Sequence, residues 1–250
     1  MVHDVTIIMG STYVLVHGGW HGGWCWTPVA RRLKERGHRV YAPTLAGHGP
    51  DAERAGITHA DCVASVARYI EERNLREIVL VGHSFGGSIL TQLAPWMPDR
   101  IRGLVFWSAF VLAHGESVAD GVPSELGARL LEGVDATPDR TAPMPWELWS
   151  TAFMQDASDE TARMIHGLLS PQPIQPILDK LDQRAFYDLR FPSGFVSCRQ
   201  DLSLGQPSWH ERFGRRLGPH RHVEIEGSHE SCFTRPIELA DAILEATPAS

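Results

Sequence analysis

The sequence predicts an α/β protein with a mostly parallel central sheet, helices on both of its faces and a helical cap inserted into the sheet domain. Three observations carry this prediction. Short apolar segments without polar alternation recur along the chain, as in strands buried on both faces of a parallel sheet. Segments suited to helices separate them. Between about residues 109 and 190 the alternation gives way to proline-punctuated helical pieces.

Strands and helices alternate in the first part of the chain. The predicted strands are Thr12–Val16, Val40–Pro43, Ile78–Val81 and Ile101–Trp107. The predicted helices are one from Thr27 as N-cap to Arg36, one from a capping box at Thr58 and Asp61 to about Asn74, and one that starts at Ser88 and ends before Pro95. This order favours a parallel sheet with helices on both faces.

The pattern changes after Trp107. No buried strand is expected in the next segment, and its predicted helical pieces are Ser124–Leu131, Pro145–Met154, Ser158–Leu169 and Pro173–Leu181. The alternation then resumes with strands at Ser193–Cys198 and His222–Glu226 and helices at Ser208–Leu217 and Pro236–Ala246. We therefore predict a core of residues 11–108 and 191–250, a helical cap of residues 109–190 and an N-terminal extension of residues 1–10. Caps of this kind exclude water and shape a pocket.

The composition is ordinary for a globular protein. Of the 250 residues, 43% are hydrophobic and 21% charged, and 23 basic against 30 acidic side chains give a formal charge of −7. This balance argues against nucleic acid and against an anionic membrane as partners, and no apolar segment reaches membrane-spanning length. The four cysteines show no zinc-type spacing and no signal peptide is expected, so free thiols and a cytoplasmic location are predicted. A homodimer is left open.

The functional prediction depends on Gly82-His83-Ser84-Phe85-Gly86-Gly87. This segment follows a predicted strand and precedes a predicted helix, which is the context of a nucleophile on a sharp strand-to-helix turn. The glycines remove Cβ atoms that would clash there, and the helix N-terminus favours developing negative charge. Ser84 is therefore the candidate nucleophile, the alternative being a glycine-rich turn that happens to contain a serine.

A serine nucleophile needs a base, and the base needs an acid that fixes its tautomer. Asp201 lies three residues beyond the strand that ends at Cys198, and His229 follows the last strand. Both are therefore expected at the carboxyl ends of strands, although Asp201 could instead cap its own turn. The weaker candidates lie in the cap, within or before the last strand, beside the nucleophile or in a loop: Asp179, Asp182, Asp188, Glu224, Glu226, His220, His222, His83 and His48.

The loop after the first strand, His17–Trp26, is rich in glycine, which lets a backbone approach a ligand closely. A backbone N–H near Gly19 and the N–H of Phe85, directly after the nucleophile, are the predicted donors to a reacting oxyanion. In the alternative interpretation, the loop only carries tryptophans that pack over the end of the sheet.

Three segments together resemble one family: His17–Trp26, the turn around Ser84, and Gly227-Ser228-His229. They are similar to the α/β-hydrolase group of plant methylesterases and hydroxynitrile lyases, with its bacterial carboxylesterase relatives. The resemblance covers nearly the whole chain after Met9. It implies an α/β-hydrolase fold, a small apolar pocket, and a Ser-His-Asp triad that needs no cofactor or metal. By position, Ser84, Asp201 and His229 match the triad, and Gly19 and Phe85 match the oxyanion donors.

Two departures from the lyase branch favour an esterase. That branch has a lysine directly after the catalytic histidine and a hydroxyl-bearing residue after the first histidine of the loop, whereas Glu230 and Gly18 occupy these positions here. We therefore expect a serine hydrolase that cleaves the carboxylic ester of a small, apolar molecule through an acyl-enzyme. Hydroxynitrile lyase-type C–C cleavage and a hydrolase-fold binding protein for small molecules are the alternatives.

Overall fold

The computed structural model describes residues 10–205 and 209–249. Their strands are β1 Thr12–Val16, β2 Arg39–Tyr41, β3 Ile78–His83, β4 Ile101–Trp107, β5 Thr141–Ala142, β6 Gln172–Pro173, β7 Ser193–Cys198 and β8 Arg221–Ile225. Their helices are α1 Thr27–Glu35, α2 His59–Glu72, α3 Gly86–Trp96, α4 Val118–Gly121, α5 Ser124–Leu131, α6 Trp146–Leu148, α7 Asp159–His166, α8 Gln175–Leu178, α9 Arg184–Leu189, α10 Trp209–Arg216, α11 Ser231–Thr234 and α12 Pro236–Ala246.

Six strands form one parallel sheet in the order β2-β1-β3-β4-β7-β8. Every residue of β1, β3 and β7 is buried, which explains why their sequences lack polar alternation. The sheet-and-helix prediction is confirmed. The predicted extension of residues 1–10 lies outside the described residues apart from Gly10, as does Ser208 at the start of the predicted helix.

Helices cover both faces of the sheet. Leu15 and Val81 point to the face that packs against α1 and α12. Their neighbours Val16 and Leu80 point to the opposite face, which packs against α2, α3 and α10. Because side chains alternate along a strand, each strand contributes to two apolar cores. No helix in residues 10–205 or 209–249 combines the length and the hydrophobicity needed to cross a bilayer.

Several helix boundaries follow the predicted signals and two do not. The Thr58–Asp61 capping box opens α2 as expected. Thr27, however, is not an N-cap, because a 3₁₀ turn leads directly into α1 and the Thr27 hydroxyl donates to Trp24 O. Pro95 does not end α3 either; it lies inside that helix, which runs on to Trp96.

The segment after β4 forms the cap above the carboxyl edge of the sheet. Ser108, directly before the predicted cap of residues 109–190, and Arg190, its last residue, both have left-handed backbones, with φ of 42° and 46°. The boundaries themselves stay a prediction. The expectation of no buried strand there was wrong, because β5 and β6 pair as a short antiparallel ribbon. The ribbon has only two residue pairs, and prolines and short polar stretches surround it. A strand of two residues is too short to show a hydrophobic periodicity, so it could not be predicted from the sequence.

The cap has its own apolar core, in which Trp149 and Phe153 stack at a centroid distance of 6.4 Å. Trp149 is fully buried and its ring also lies 6.0 Å from that of His21 in the core, whereas Met164 is 61% exposed. The predicted helix over residues 173–181 is reduced to α8, because Pro173 belongs to the ribbon.

Candidate active site

Ser84 lies on the turn between β3 and α3. Its φ of 51° is in the left-handed region, which costs a residue other than glycine about 1–3 kcal/mol. Its N–H donates to Trp107 O over 3.2 Å. A Cβ at Gly82 would lie 2.8 Å from Gly86 O, and one at Gly86 would lie 2.6 Å from Val16 O. Close backbone contacts therefore require both glycines, and they hold a strained serine at the edge of the sheet.

Asp201 and His229 meet beyond the carboxyl ends of β7 and β8. Nδ1 of His229 lies 2.8 Å from Oδ2 of Asp201, and both side chains are buried. Because the carboxylate accepts, the proton of the neutral imidazole lies on Nδ1 and the lone pair on Nε2. The fold thus brings the predicted acid and base together in the tautomer that a general base requires.

Ser203, which was not among the predicted site residues, hydrogen-bonds to this pair. Its hydroxyl and its backbone N–H donate to Asp201 Oδ1 over 2.7 and 3.0 Å, and its Oγ lies 3.1 Å from His229 Nδ1. The signal that could have found it is the spacing, since a serine two residues after an aspartate suits an Asx-turn. The Asp201 carboxylate therefore has protein donors on both oxygens.

Charge and burial act in opposite directions on the two partners. Burial alone would raise the pKa of Asp201, but the contacts with His229 and Ser203 hold that pKa below its usual range. Burial alone would lower the pKa of His229, but the charge and hydrogen bond of Asp201, with Glu230, raise it. The arrangement therefore favours an ionised Asp201 and stabilises a proton on His229 once one arrives.

Ser84 and His229 line the same cavity beneath the cap. Among the described residues, no hydrogen bond joins their side chains. Such bonds are often long in enzymes without substrate and shorten in the reacting complex. In the structure, Asp201 is therefore hydrogen-bonded to His229, whereas His229 and Ser84 only line the same cavity.

Gly19 and Phe85, the predicted oxyanion donors, also line this cavity. Within the described part of the chain, neither of their backbone N–H groups has a hydrogen-bond acceptor. Backbone N–H groups without protein acceptors at a cavity wall are available to a ligand oxygen. Their role as oxyanion donors stays a prediction.

The remaining wall of the cavity is mostly apolar, with Gln172 and Ser203 as its polar residues. The space open to the centre of a water-sized molecule is about 70 Å³, against about 10–15 Å³ for a single water. No Lys, Arg, Asp or Glu is found among the described residues that line it. The cap supplies one side of the cavity with Val118, Val122, Leu126, Leu130, Ile174 and Ile177.

His83 and His48 are held by contacts outside the acid–base pair. Nε2 of His83 donates to the backbone oxygen of His229 over 3.1 Å, and its ring stacks on Trp107 at 3.8 Å. Burial and the nearby His229 lower the pKa of His83 well below its usual value, so the ring is neutral. His48 bonds to a loop carbonyl and lies 3.0 Å from Gln172 Oε1. Both contacts suit structural roles.

The weaker candidates do not line the cavity. Of the acidic candidates, Asp179 accepts a hydrogen bond from the backbone N–H of His59 over 2.8 Å, Asp182 pairs with Arg184, and Asp188 is exposed. Glu224 and Glu226 both pair with Arg199. Of the histidines, His220 bonds to Gly218 O and His222 to Ser197.

One group within the described residues has the side chains of a metal site. His83, His229 and Glu230 place possible ligand atoms within 4.8 Å of one another. Each already has a protein partner: His83 with His229 O, His229 with Asp201, and Glu230 with His21 at 3.4 Å. Contacts within the protein account for the cluster.

The sequence matches the family described as the alpha/beta hydrolase family over residues 13–242. It is 41% identical to methylesterase 2 of Arabidopsis thaliana over 260 residues, which cover 93% of this chain and 94% of that protein. It is also 39% identical to a carbendazim-hydrolysing esterase of a Nocardioides species over 132 residues. That match spans about half of each protein, with 50% of this chain and 54% of the relative.

The fold is similar to that of a solved extracellular α/β-hydrolase from a Paenibacillus species. The TM-score is 0.91 at 34% identity, and the match covers 95% of this chain and 99% of the other. That hydrolase is described as sharing structural and functional homology with tobacco salicylic acid binding protein 2.

Proposed function

The chain belongs to the α/β-hydrolase family, and on that premise we propose that it is a serine carboxylesterase acting on esters of small, apolar molecules. One observation carries the proposal. A strained serine, Ser84, shares an apolar cavity with His229, and Asp201 is bonded to the far side of that histidine. The similarity to a plant methylesterase over most of both chains supports ester hydrolysis.

In the proposed reaction, Ser84 Oγ attacks the ester carbonyl carbon while its proton passes to His229 Nε2. The N–H groups of Gly19 and Phe85 bind the oxyanion of the tetrahedral intermediate. Its collapse transfers the proton from His229 to the departing alcohol. A water molecule, deprotonated by His229, then attacks the acyl-enzyme, and His229 returns that proton to Ser84 Oγ as the acid is released. Asp201 stabilises the imidazolium in both steps.

The size and charge of the cavity support the proposed substrate class. Apolar side chains of the cap favour an uncharged acyl or alcohol group. The acid product is an anion, and the described lining offers it no cationic side chain. We therefore infer that the product leaves readily, which distinguishes an esterase from a protein that retains a small acid as a ligand.

Two positions support ester hydrolysis over cyanohydrin cleavage. A Cβ at Gly18 would lie 2.9 Å from His83 Nδ1 and 3.1 Å from Ser84 Cβ, so a hydroxyl-bearing side chain would displace its neighbours. Glu230 is buried, and its carboxylate lies 3.4 Å from His21 Nε2. A carboxylate beside His229 does not supply the positive charge that a lysine would.

A cytoplasmic location is part of the proposal. All four cysteines, Cys25, Cys62, Cys198 and Cys232, are free and buried, as is usual where thiols stay reduced. The Paenibacillus protein, in contrast, is described as extracellular. Fractionation of the source cells, with activity assayed in each fraction, decides between the two locations.

The proposed activity is tested with nitrophenyl and methyl esters of increasing acyl length, with Ser84→Ala as the matched variant and cyanide release from mandelonitrile assayed in parallel. We expect ester turnover that the variant loses by several orders of magnitude. Equal ester turnover in both proteins would remove Ser84 from the mechanism. Cyanide release without ester hydrolysis would establish the lyase, and tight ligand retention without turnover would establish a binding protein.

A further inference from the structure

Trp20, the residue after the predicted oxyanion donor Gly19, has a backbone that tryptophan rarely adopts. Its φ is 62°, in the left-handed region that costs a residue with a Cβ about 1–3 kcal/mol. Such a conformation persists only where neighbouring groups hold it. The groups that hold Trp20 therefore also determine the path of the loop at Gly19.

All three polar groups of Trp20 bond to the cap. Its backbone N–H donates to Gln172 Oε1 over 3.0 Å, and its backbone oxygen accepts the N–H of Ser170 over 2.9 Å. Its indole N–H donates to Ala142 O over 2.9 Å. Ala142 and Gln172 face each other across the β5–β6 ribbon. The short β5–β6 ribbon, which was not predicted from the sequence, therefore holds this loop in place.

Both the oxygen and the nitrogen of the Gln172 carboxamide have protein partners. The residue is fully buried, and its Nε2 donates to Pro173 O over 2.9 Å. This bond sets the orientation of the amide and leaves Oε1 toward Trp20 N–H and His48 Nε2, both at 3.0 Å. A Cβ at Gly19 would lie 3.1 Å from the same Oε1. The side chain therefore bonds to Trp20 and occupies the space beside Gly19.

We propose that Gln172 is a positioning residue for ester hydrolysis: by holding Trp20 in its left-handed conformation, the Gln172 carboxamide from the cap keeps the N–H of Gly19 available to the oxyanion. This inference rests on the proposed function, because it takes Gly19 as an oxyanion donor. Without the carboxamide, Trp20 relaxes toward an ordinary φ, the adjacent peptide units turn, and the Gly19 N–H loses its alignment. A misaligned donor weakens binding of the transition state more than binding of the substrate.

The test compares Gln172→Met with Gln175→Met, the same change three residues along the cap, where the side chain bonds to Asp179 instead. For Gln172→Met we expect kcat to fall about 10- to 100-fold with KM changed by less than about threefold, which is below the loss of about 10²–10³ for a deleted oxyanion donor. A trifluoromethyl ketone, whose adduct with Ser84 carries an oxyanion, should lose affinity by the same factor as kcat/KM. Gln175→Met should match the wild type in both.

Several outcomes would overturn the proposal. The first is an equal kcat in the two variants. The second is a change in KM alone, which would mean that Gln172 contacts the substrate directly. The third is an inhibitor affinity that does not change in parallel with kcat/KM. A wild-type protein without any esterase activity would instead refute the proposed function, so the two failures are distinguishable.

If Gln172→Met does not fold, a second pair of variants tests the contact between Trp20 and the cap by changing Trp20 instead. Trp20→Phe removes the indole bond to Ala142 O together with part of a ring that lines the cavity. Trp149→Phe removes an indole bond of equal length, to Ala162 O inside the cap, at a residue that does not line the cavity. We expect a kcat loss and weaker ketone binding in the first variant and wild-type values in the second. Equal kinetics in both would overturn the proposal.

Discussion

His229 Nδ1 and Asp201 Oδ2 lie 2.8 Å apart, and the two side chains are only 3% and 0% exposed. Little solvent screens a pair this deeply buried, so the charge of Asp201 acts more strongly on the imidazole than it would at the surface. Two loops that leave adjacent strands of the sheet meet at this contact. The ionisation of one residue therefore depends on the other.

Asp201→Asn is expected to lower kcat/KM about 10³- to 10⁴-fold, because an amide holds the wrong tautomer and does not stabilise the imidazolium. The acid limb of the pH profile should move as well. In the wild type, His229 must be neutral to act as base and its pKa is raised, so kcat/KM should fall as pH drops through a value above about 6.5. In the variant that limb should lie at lower pH.

Asp188→Asn, a change of an exposed aspartate, is the control for this measurement and should leave rate and profile unchanged. A wild-type acid limb below that of Asp201→Asn would contradict the assignment of Asp201 as the partner of the base.

Ser84→Gly should be more stable than Ser84→Ala by about 1 kcal/mol, although both are inactive. Glycine adopts the φ of 51° without the strain that alanine retains. The greater entropy of glycine in the unfolded chain offsets part of this gain. Urea unfolding of the two variants gives the comparison, and an alanine variant as stable as the glycine variant would show that the turn is not strained.

Much of this site could be predicted because its signals are local. The glycines around Ser84 are required by backbone contacts of 2.8 Å or less, and such requirements leave a fixed spacing in the sequence. Asp201 and His229 could be placed because each follows a buried strand directly. Gln172 could not, because its partners Trp20 and His48 are more than 120 residues away and its own segment is a proline-flanked dipeptide strand.

Val122→Phe is expected to narrow substrate choice. The residue lines the cavity from the cap side, and a ring added there reduces the space for the acyl group, so that large acyl groups are excluded while small ones still fit. The ratio of kcat/KM for butyrate to that for acetate nitrophenyl esters should fall about tenfold. Val122→Ala should change the ratio in the opposite direction, and unchanged ratios in both would show that the acyl group binds elsewhere.

Glu116→Gln should destabilise the fold by about 1–3 kcal/mol. Arg216 of α10 donates to both Glu116 oxygens, over 2.6 and 2.9 Å, and also to Val111 O, so it ties the core to the start of the cap. Burial alone would raise the pKa of Glu116, but the bonds to Arg216 lower it. Its stabilising effect is therefore full above the unfolded pKa of about 4.3 and lost as pH falls through the lower folded value.

Urea titrations at pH 7 and at pH 3 measure this effect, and the difference between wild type and Glu116→Gln should shrink at the lower pH. A difference that is the same at both pH values would mean that the carboxylate charge does not contribute. Arg31→Gln, which breaks an exposed pair with Glu35, should cost less than about 0.5 kcal/mol.

The ribbon of β5 and β6 has a consequence for the design of new esterases. A cap is an attractive unit to exchange between relatives, since its apolar side chains determine which substrates fit. Here the same cap also supplies Ala142, Ser170 and Gln172, which bind Trp20 of the core. A chimaera with a foreign cap that lacks counterparts of these three residues would accept new substrates but would have a lower kcat. Grafting them along with the foreign cap should keep selectivity and rate separable.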